Sequence, residues 1–472
     1  MKFDTLHDFL SELERLGELH RVRVEVDPLL EVAAVTDRVS KTTGGGPALL
    51  FERVSGAAVP VATNLFGSPR RMALALGVAS LDDLAARMEA LLAQLPPGQA
   101  SQGLAALPLL EEFRRFAPVV AGAAGCQEVV DESPDLAHYP FLQCWPGDGG
   151  RFITLPQVFT RDPETGLPNC GMYRVRIFDE NSVGIRWHAG RGGELHWRKY
   201  RERGERMPVA VALGGDPAAM VAATLPLPEN VDEMQFAGWL RGAPLELTRC
   251  RTNELFVPAG AEMVIEGYME PGETALDGPF GNHTGFSMPP AEVPVMGVTC
   301  ITRRRDCIYP ATVVGPPPAE DCFMAKAAER LFFPLLRRRW PAIVDINLPL
   351  EWIFHGGAIV SVRDAGVGGV RRLVEEVWAS GMLGAARLLV VVDDDTDVRD
   401  LSRVAWRVMN MADWRNDLFV EEGGGTPPLP WLGARLGIDA TRKERFRSVA
   451  PEFGMDDATK RQIEERWREY GF

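Results

Sequence analysis

Paired cysteines are missing from this chain. Its seven cysteines (Cys126, Cys144, Cys170, Cys250, Cys300, Cys307 and Cys322) are scattered, odd in number and without a CxxC pair, which excludes a disulfide framework and a thiolate zinc site. Long apolar runs are missing too. None approaches the ~18 residues needed to span a bilayer, so membrane contact is at most peripheral. Positive charge is in deficit, with 51 Lys and Arg against 65 Asp and Glu. The net charge of −14 repels nucleic-acid phosphates and makes a small molecule the default partner. A reduced, cytoplasmic protein is the simplest expectation. Residues 1–17 carry no signal-peptide pattern: Leu6, Phe9, Leu10, Leu13 and Leu16 stand at helical spacing, with Asp4 or Thr5 as N-cap and Gly17 as the left-handed stop.

At 472 residues the chain exceeds one ordinary core, and a prior of roughly 150 residues per domain predicts about three. Proline- and glycine-rich stretches at 95–103 and 314–321 read as boundaries, which gives domains 1–110, 111–315 and 316–472. The first carries the opening helix, a strand-like 48–54 and a helix-like 81–95, a small α/β domain. In the second, short strand-like runs at 153–160, 171–178, 208–213, 244–250, 262–268 and 293–300 predict a barrel or sandwich. Asp216 as N-cap and Pro217 at the first helical position insert one helix there. In the third, helix-like 324–336, strand-like 358–363, helix-like 370–378 and strand-like 386–395 alternate, as βαβ units with a mostly parallel sheet do. A charged helix from about 456 to 470 closes the chain beyond the loop 421–430, free to dock on another subunit or on its own domain.

The densest polar and aromatic region runs from 168 to 197. Strand alternation puts Met172 and Arg174 on one face and Tyr173 and Val175 on the other, so Arg174 enters the barrel or points to solvent. The glycine-rich AGRGG at 189–193 lets backbone N–H groups approach a phosphate, with Arg186 and Arg191 to neutralise it. It is neither a Walker A run nor a GxGxxG fingerprint, and an ordinary loop with an exposed arginine has the same composition. In LDGPFGNHTGF at 276–286, four glycines and prolines shape a loop around Asp277, Asn282 and His283 that serves either as a functional loop or as a plain turn. Glu229, Asp232 and Glu233 precede a helix-like run, where acids commonly complement the helix dipole.

Taken in order, GLPNCGMYR, RWHAGRGG, ALGGDPAAM, LPLPENVDE, DGPFGNHTGF, IYPATVVGPPPAED and GIDATRK make the chain resemble the UbiD family of decarboxylases over nearly its whole length. The resemblance implies an N-terminal α/β domain, a central split β-barrel like that of flavin reductases and a C-terminal α/β domain. It implies prenylated FMN held through its phosphate by Mn²⁺ and usually a monovalent cation such as K⁺, with a flavin prenyltransferase as supplier. Cofactor contacts fall on Met172, Tyr173, Arg174, Arg186, Trp187, His188, Arg191 and Gly192, and metal ligands on Asn169 and Glu233. The implied reaction is reversible, non-oxidative decarboxylation of an aromatic or α,β-unsaturated acid. Hydroxylated benzoates or naphthoates lead, because the C-terminal half looks more like quinone-pathway members. A homo-oligomer, dimer or hexamer, also follows from the resemblance.

Two positions depart from the family pattern. Where the metal-binding His usually stands, this chain has Gly190, leaving His188, His196 or a water to fill the role. Where the proton-donating acid usually stands, it has Asn282, which carries no transferable proton. Arg174 would grip the substrate carboxylate with Asp277 as its partner, and Asp277, ahead of His283, would relay the proton. Competing readings are a non-catalytic flavin-binding protein that kept the fold and a plain FMN oxidoreductase without a metal.

Overall fold

The computed structural model describes residues 2–471 except 365, 367, 381–382, 423–432 and 444–452, and the side chains of 97, 98 and 100–102 are likewise not described. Most of the loop 421–430 therefore lies outside the described residues. The chain is mixed α/β and falls into two compact units, Met1–Arg339 with Leu348–Gly356, and Trp340–Asn347 with Gly357–Phe472.

The larger unit opens on the helix Leu6–Arg15. Thr5 caps it by a reciprocal pair: its hydroxyl accepts from the Asp8 N–H at 3.2 Å, and the Asp8 carboxylate accepts from the Thr5 N–H at 3.0 Å. Leu6, Phe9, Leu10 and Leu13 are buried, each worth about 1.5–3 kcal/mol of hydrophobic stabilisation, and Gly17 takes φ 72° as the chain turns. The strands Leu19–Val26 and Ala48–Val54 pair in parallel, which demands a crossover; Glu31–Ser40 supplies it as a helix. Val61–Thr63 and the distant Tyr309–Pro310 complete this four-stranded sheet.

The site is carried by a nine-stranded sheet. Its order is Phe152–Ile153, Val175–Ile177, Ser182–Ile185, Ala291–Arg303, Met263–Asp277, Met207–Leu213, Pro156–Arg161 and Pro168–Gly171, with Val129–Asp131 added beside Ala291–Arg303. The two ends of the path do not pair, so among the described residues the sheet is open and no barrel closes. Its longest pairing joins Met263–Asp277 to Ala291–Arg303, with a register shift between Met269 and Thr274 where Pro271 cannot donate to the ladder. The run 171–178 is not one strand. Pairing stops at Gly171 and resumes at Val175, leaving 172–174 outside the ladder. The predicted alternation of faces survives: Tyr173, Val175 and Ile177 are buried, while Met172, Arg174 and Arg176 are partly exposed.

In the smaller unit the sheet order is Ile343–Asn347, Gly357–Val362, Leu388–Asp393, Ala434–Asp439 and Leu418–Glu422. The three central strands are parallel, as expected, but both edge strands are antiparallel, so two of the four pairings depart from the mostly parallel reading. Gly357–Val362 is buried throughout, as a central strand covered on both faces must be. Gly369–Ala379 buries Val370, Leu373, Val374, Val377 and Trp378, and the closing helix spans Asp457–Glu465.

Candidate active site

Asp277 ends its long strand with 1% side-chain exposure, and there it meets Arg174. Arg174 Nε donates to Asp277 Oδ2 at 3.1 Å, and Nη2 donates to the same oxygen. The guanidinium lies 4.6 Å from the Phe280 ring centroid, a cation–π contact that fixes its plane. Burial lowers the pKa of Arg174, and the charge of Asp277 opposes that shift. Asp277 Oδ1 is enclosed and, among the described residues, has no hydrogen-bond partner. The pair therefore presents a cation with an unpaired acceptor beside it.

The loop after Asp277 is fixed by Asp148, whose carboxylate accepts from Gly281 N at 2.8 Å and from Trp145 N at 2.9 Å. Burial pushes the Asp148 carboxyl above its ordinary range. Asn282 is buried, and its Oδ1 accepts from Thr284 N at 3.0 Å and Thr284 Oγ1 at 2.6 Å. This amide shapes its own turn. His283 Nε2 lies 2.7 Å from His355 Nε2.

On the other side, helix Gly192–Arg203 begins inside the AGRGG run, with Arg191 as its N-cap residue. Tyr173 Oη accepts from Gly193 N at 3.2 Å, and its ring meets Trp187 edge-on at 4.8 Å. A Cβ on Gly192 would stand 2.0 Å from Asn169 Oδ1, and one on Gly193 would stand 2.5 Å from Trp187 Cζ3. A side chain at either place would have to displace the neighbouring Asn169 or Trp187 side chain. Trp187 Nε1 and Arg186 Nη1 are enclosed donors without a partner. His188 faces Tyr173 at 5.7 Å and stays open to solvent, though the protein around it and Arg191 hold its pKa down.

Asn169 and Glu233 come together through strand Pro168–Gly171. Glu233 Oε2 accepts from Cys170 N at 2.9 Å, and Asn169 Nδ2 donates to Thr160 Oγ1 at 3.3 Å. Burial raises the Glu233 carboxyl to about 8. Asp232 caps the helix Glu233–Arg241 through Met234 N at 2.7 Å, the dipole role open to these acids in the sequence. His196 is buried with Nδ1 2.9 Å from Thr160 Oγ1 and Nε2 3.9 Å from Asp162 Oδ2, so its two nitrogens face protein groups. Among the described residues no three of His, Cys, Asp and Glu converge on one metal position. The candidate metal set is thus one carboxylate and one amide. Met172 stands apart in role: its N–H bonds Ala223 O at 2.8 Å, tying the broken strand to helix Pro217–Ala222.

The structure joins Arg174 with Asp277, Tyr173 and Trp187 with the start of the 192–203 helix, and Asn169 with Glu233 through Cys170. Three further participants carry no sequence signal of their own. Asp148 sits in a PGDGG turn, Phe280 reads as one more loop aromatic, and His355 lies 72 residues from its partner.

An open antiparallel sheet carries the Arg174–Asp277 pair, and a glycine-rich helix start follows the same run of strands; comparison with known proteins gives the class. Residues 10–91, 118–317 and 322–440 match, in turn, the N-terminal domain, the Rift-related domain and the C-terminal domain of 3-octaprenyl-4-hydroxybenzoate carboxy-lyase. The chain belongs to the UbiD family of carboxy-lyases. An uncharacterized protein of Archaeoglobus fulgidus is 44% identical over 99% of both chains, and one of Aquifex aeolicus is 38% identical over 100% of this chain and 99% of that one. Among solved structures, the UbiD-class enzyme HmfF from Pelotomaculum thermopropionicum in complex with FMN is 27% identical, with a TM-score of 0.83 over 97% of this chain and 98% of that one. An evolved dimeric form of HmfF in complex with prFMN is 28% identical, with a TM-score of 0.81 over the same shares. The vanillic acid decarboxylase of Sedimentibacter hydroxybenzoicus is 25% identical, with a TM-score of 0.83 over 99% of each chain.

Proposed function

We propose that this chain binds prenylated FMN with Mn²⁺ and K⁺ and reversibly decarboxylates an aromatic or α,β-unsaturated acid, a hydroxybenzoate or naphthoate leading the list. The observation that carries the reading is the buried Arg174–Asp277 pair with Asp277 Oδ1 left without a partner. The residues present fit the cofactor. A side chain at Gly192 or Gly193 would have to displace Asn169 or Trp187, and Trp187 Nε1 and Arg186 Nη1 are enclosed donors that, among the described residues, lack acceptors. The start of the 192–203 helix favours a phosphate, and Arg191 adds charge there. Glu233, whose carboxyl burial raises to about 8, is the group a divalent ion would ionise; Asn169 and His188 would complete a mixed ligand set. His196, already directed at Thr160 and Asp162, is the weaker candidate.

When bound, the modified flavin supplies the electron sink that no side chain provides. Arg174 orients the substrate carboxylate by charge-assisted bonds, and Asp277 holds the guanidinium in place for that contact. Phe280, with its ring centroid 4.6 Å from the guanidinium, adds a cation–π contact that helps hold it. Solved relatives with prFMN or FMN bound support the flavin. We read the open nine-stranded sheet as a split barrel, and the dimeric HmfF form supports a homo-oligomer here. The chain would draw its cofactor from a flavin prenyltransferase in the cytoplasm.

The test is anaerobic co-expression with a flavin prenyltransferase in Mn²⁺, followed by metal analysis and carbon dioxide release from hydroxylated benzoates, naphthoates and unsaturated acids. One prenylated flavin and one divalent ion per chain, with turnover lowered at least about a thousandfold in Arg174→Ala, is the expected result. A chain that takes up neither flavin nor metal refutes the proposal.

A further inference from the structure

Asn282 cannot donate a proton, and its oxygen is committed to Thr284. Asp277 Oδ2 is committed to two N–H groups of Arg174. Yet the carbon that loses carbon dioxide must take a proton. The loop that carries Asn282 offers one other group, His283, and the structure gives it a partner.

His283 Nε2 and His355 Nε2 stand 2.7 Å apart. Two ring nitrogens meet at that distance only when one carries a proton and the other a lone pair. Burial holds both rings neutral: it lowers His283 to about 3 and also lowers His355. The rings are therefore opposite tautomers. If His355 donates from Nε2, its Nδ1 is an acceptor, and His283 carries N–H at Nδ1. His355 Nδ1 is enclosed and, among the described residues, has only its own backbone near enough to bond; a water can complete its bonding there.

The backbone that delivers His355 is strained. Ile353 and Phe354 take φ 59° and 38°, left-handed values that non-glycine residues, and β-branched ones above all, rarely adopt. Such a turn persists only where its surroundings impose it. Leu348 N donates to the buried Glu329 carboxylate at 2.5 Å, Trp352 N to Pro349 O at 3.1 Å and Gly356 N to Trp352 O at 3.1 Å. A Cβ on Gly356 would stand 2.7 Å from Trp352 O. Phe354 then packs 5.2 Å from the His283 ring and 5.0 Å from that of His355. His283 follows Asp277 by six residues, on the loop that Asp148 fixes through Gly281 N.

We propose that His283 and His355 form a two-imidazole relay that supplies the proton replacing the departed carboxylate. The relay rests on the decarboxylation proposed above. The bond from carbon to the carboxylate breaks and its electron pair stays on carbon. That carbon takes the proton from His283 Nδ1, His283 Nε2 takes one from His355 Nε2, and His355 Nδ1 takes one from solvent through a water bonded there. Once product has left, His355 Nδ1 returns its proton to that water, His283 Nε2 passes one to His355 Nε2, and His283 Nδ1 takes one from water in the vacated site, which restores both tautomers; the net uptake is one proton from solvent for each carbon dioxide released.

The test has two arms on the full-length chain. In ¹⁵N-histidine spectra of the unloaded protein at neutral pH, His283 and His355 should appear as neutral rings of opposite tautomer, and His355→Ala should release the His283 signal from its partner. In the cofactor-loaded enzyme, His355→Ala should lower kcat about a hundredfold with KM within about twofold, and added imidazole should restore at least about a tenth of the loss. His355→Gln, which holds the space, should be equally slow. Rings of one tautomer overturn the relay while decarboxylation stands. A kcat within about twofold of the parent, or a loss without rescue and with a raised KM, overturns it as well. No carbon dioxide from any acid with the loaded parent overturns the decarboxylation itself, and the relay with it.

Discussion

Replacing Glu233 by Gln keeps the length of the side chain and an acceptor for Cys170 N while removing the titration. In the folded chain this carboxyl titrates at about 8, because burial disfavours its charge; an unfolded Glu titrates near ~4.3. The folded state therefore holds one more proton than the unfolded state between those values. Its contribution to stability is full below the unfolded pKa and is lost as pH rises through the folded one, at about 1.4 kcal/mol per pH unit. Between pH 5.5 and 7.5 the metal-free parent should lose about 2.7 kcal/mol relative to Glu233→Gln. Urea unfolding of both chains in chelator, followed by tryptophan fluorescence, reads that difference and cancels the other buried acids, Asp216, Glu320 and Asp321, which each titrate at about 7 in both. Mn²⁺ at a hundred times its dissociation constant should return about 2.7 kcal/mol to the parent and little to the variant. Parallel pH profiles for the two chains would refute the argument that Glu233 is a buried, uncompensated acid awaiting a cation.

Gly192→Ala, whose Cβ would stand 2.0 Å from Asn169 Oδ1, should fold but purify with less than about a tenth of the parent's flavin, read from the absorbance ratio of anaerobic preparations. All seven cysteines are free and buried, and burial pushes the Cys126, Cys144 and Cys322 thiols up to about 12. Ellman's reagent should therefore find no fast thiol in the native chain and all seven in guanidinium; a fast native thiol would contradict the burial. Thr5→Ala removes the hydroxyl that accepts from Asp8 N, leaving the Thr5 backbone N–H bond to the Asp8 carboxylate, and should cost about 1 kcal/mol in the first unfolding transition.

Local signals in the sequence located the elements they belong to. Thr5 and Gly17 bracket the first helix, Asp216 and Pro217 start an inserted one, and 48–54 is a strand to the residue. Each depends on chemistry within a few residues, a cap, a fixed φ or a run of β-branched and aromatic side chains. What the chain did not disclose depends on partners far away. The edge strands of the smaller sheet are short and broken or ended by acids, and periodicity says nothing about whether a strand pairs parallel or antiparallel, which its connections decide. The helix Gly192–Arg203 opens with two glycines, poor helix formers, and its start is fixed by Tyr173 and Asn169 packing onto them. A loop was the better local reading, and tertiary contact decided otherwise.

The same distinction governs the site. Resemblance assigns a role to a position, and the position keeps the role only if its residue type can perform it. Arg174 and Asp277 can, and their buried pair is intact. Asn282 cannot, and the structure shows what its amide does in place of proton transfer: it accepts twice from Thr284 and shapes the turn that presents His283. A carboxylic acid there would compete with the turn for the same oxygen. A chain that gives up the acid at 282 has to bring a proton from another element, and the element it brings is a turn 72 residues away, held at left-handed φ against its own preference. Strain maintained at one contact, on the loop where the usual donor is absent, is better explained by the proton than by packing, since Phe354 alone would fill the space without an imidazole behind it.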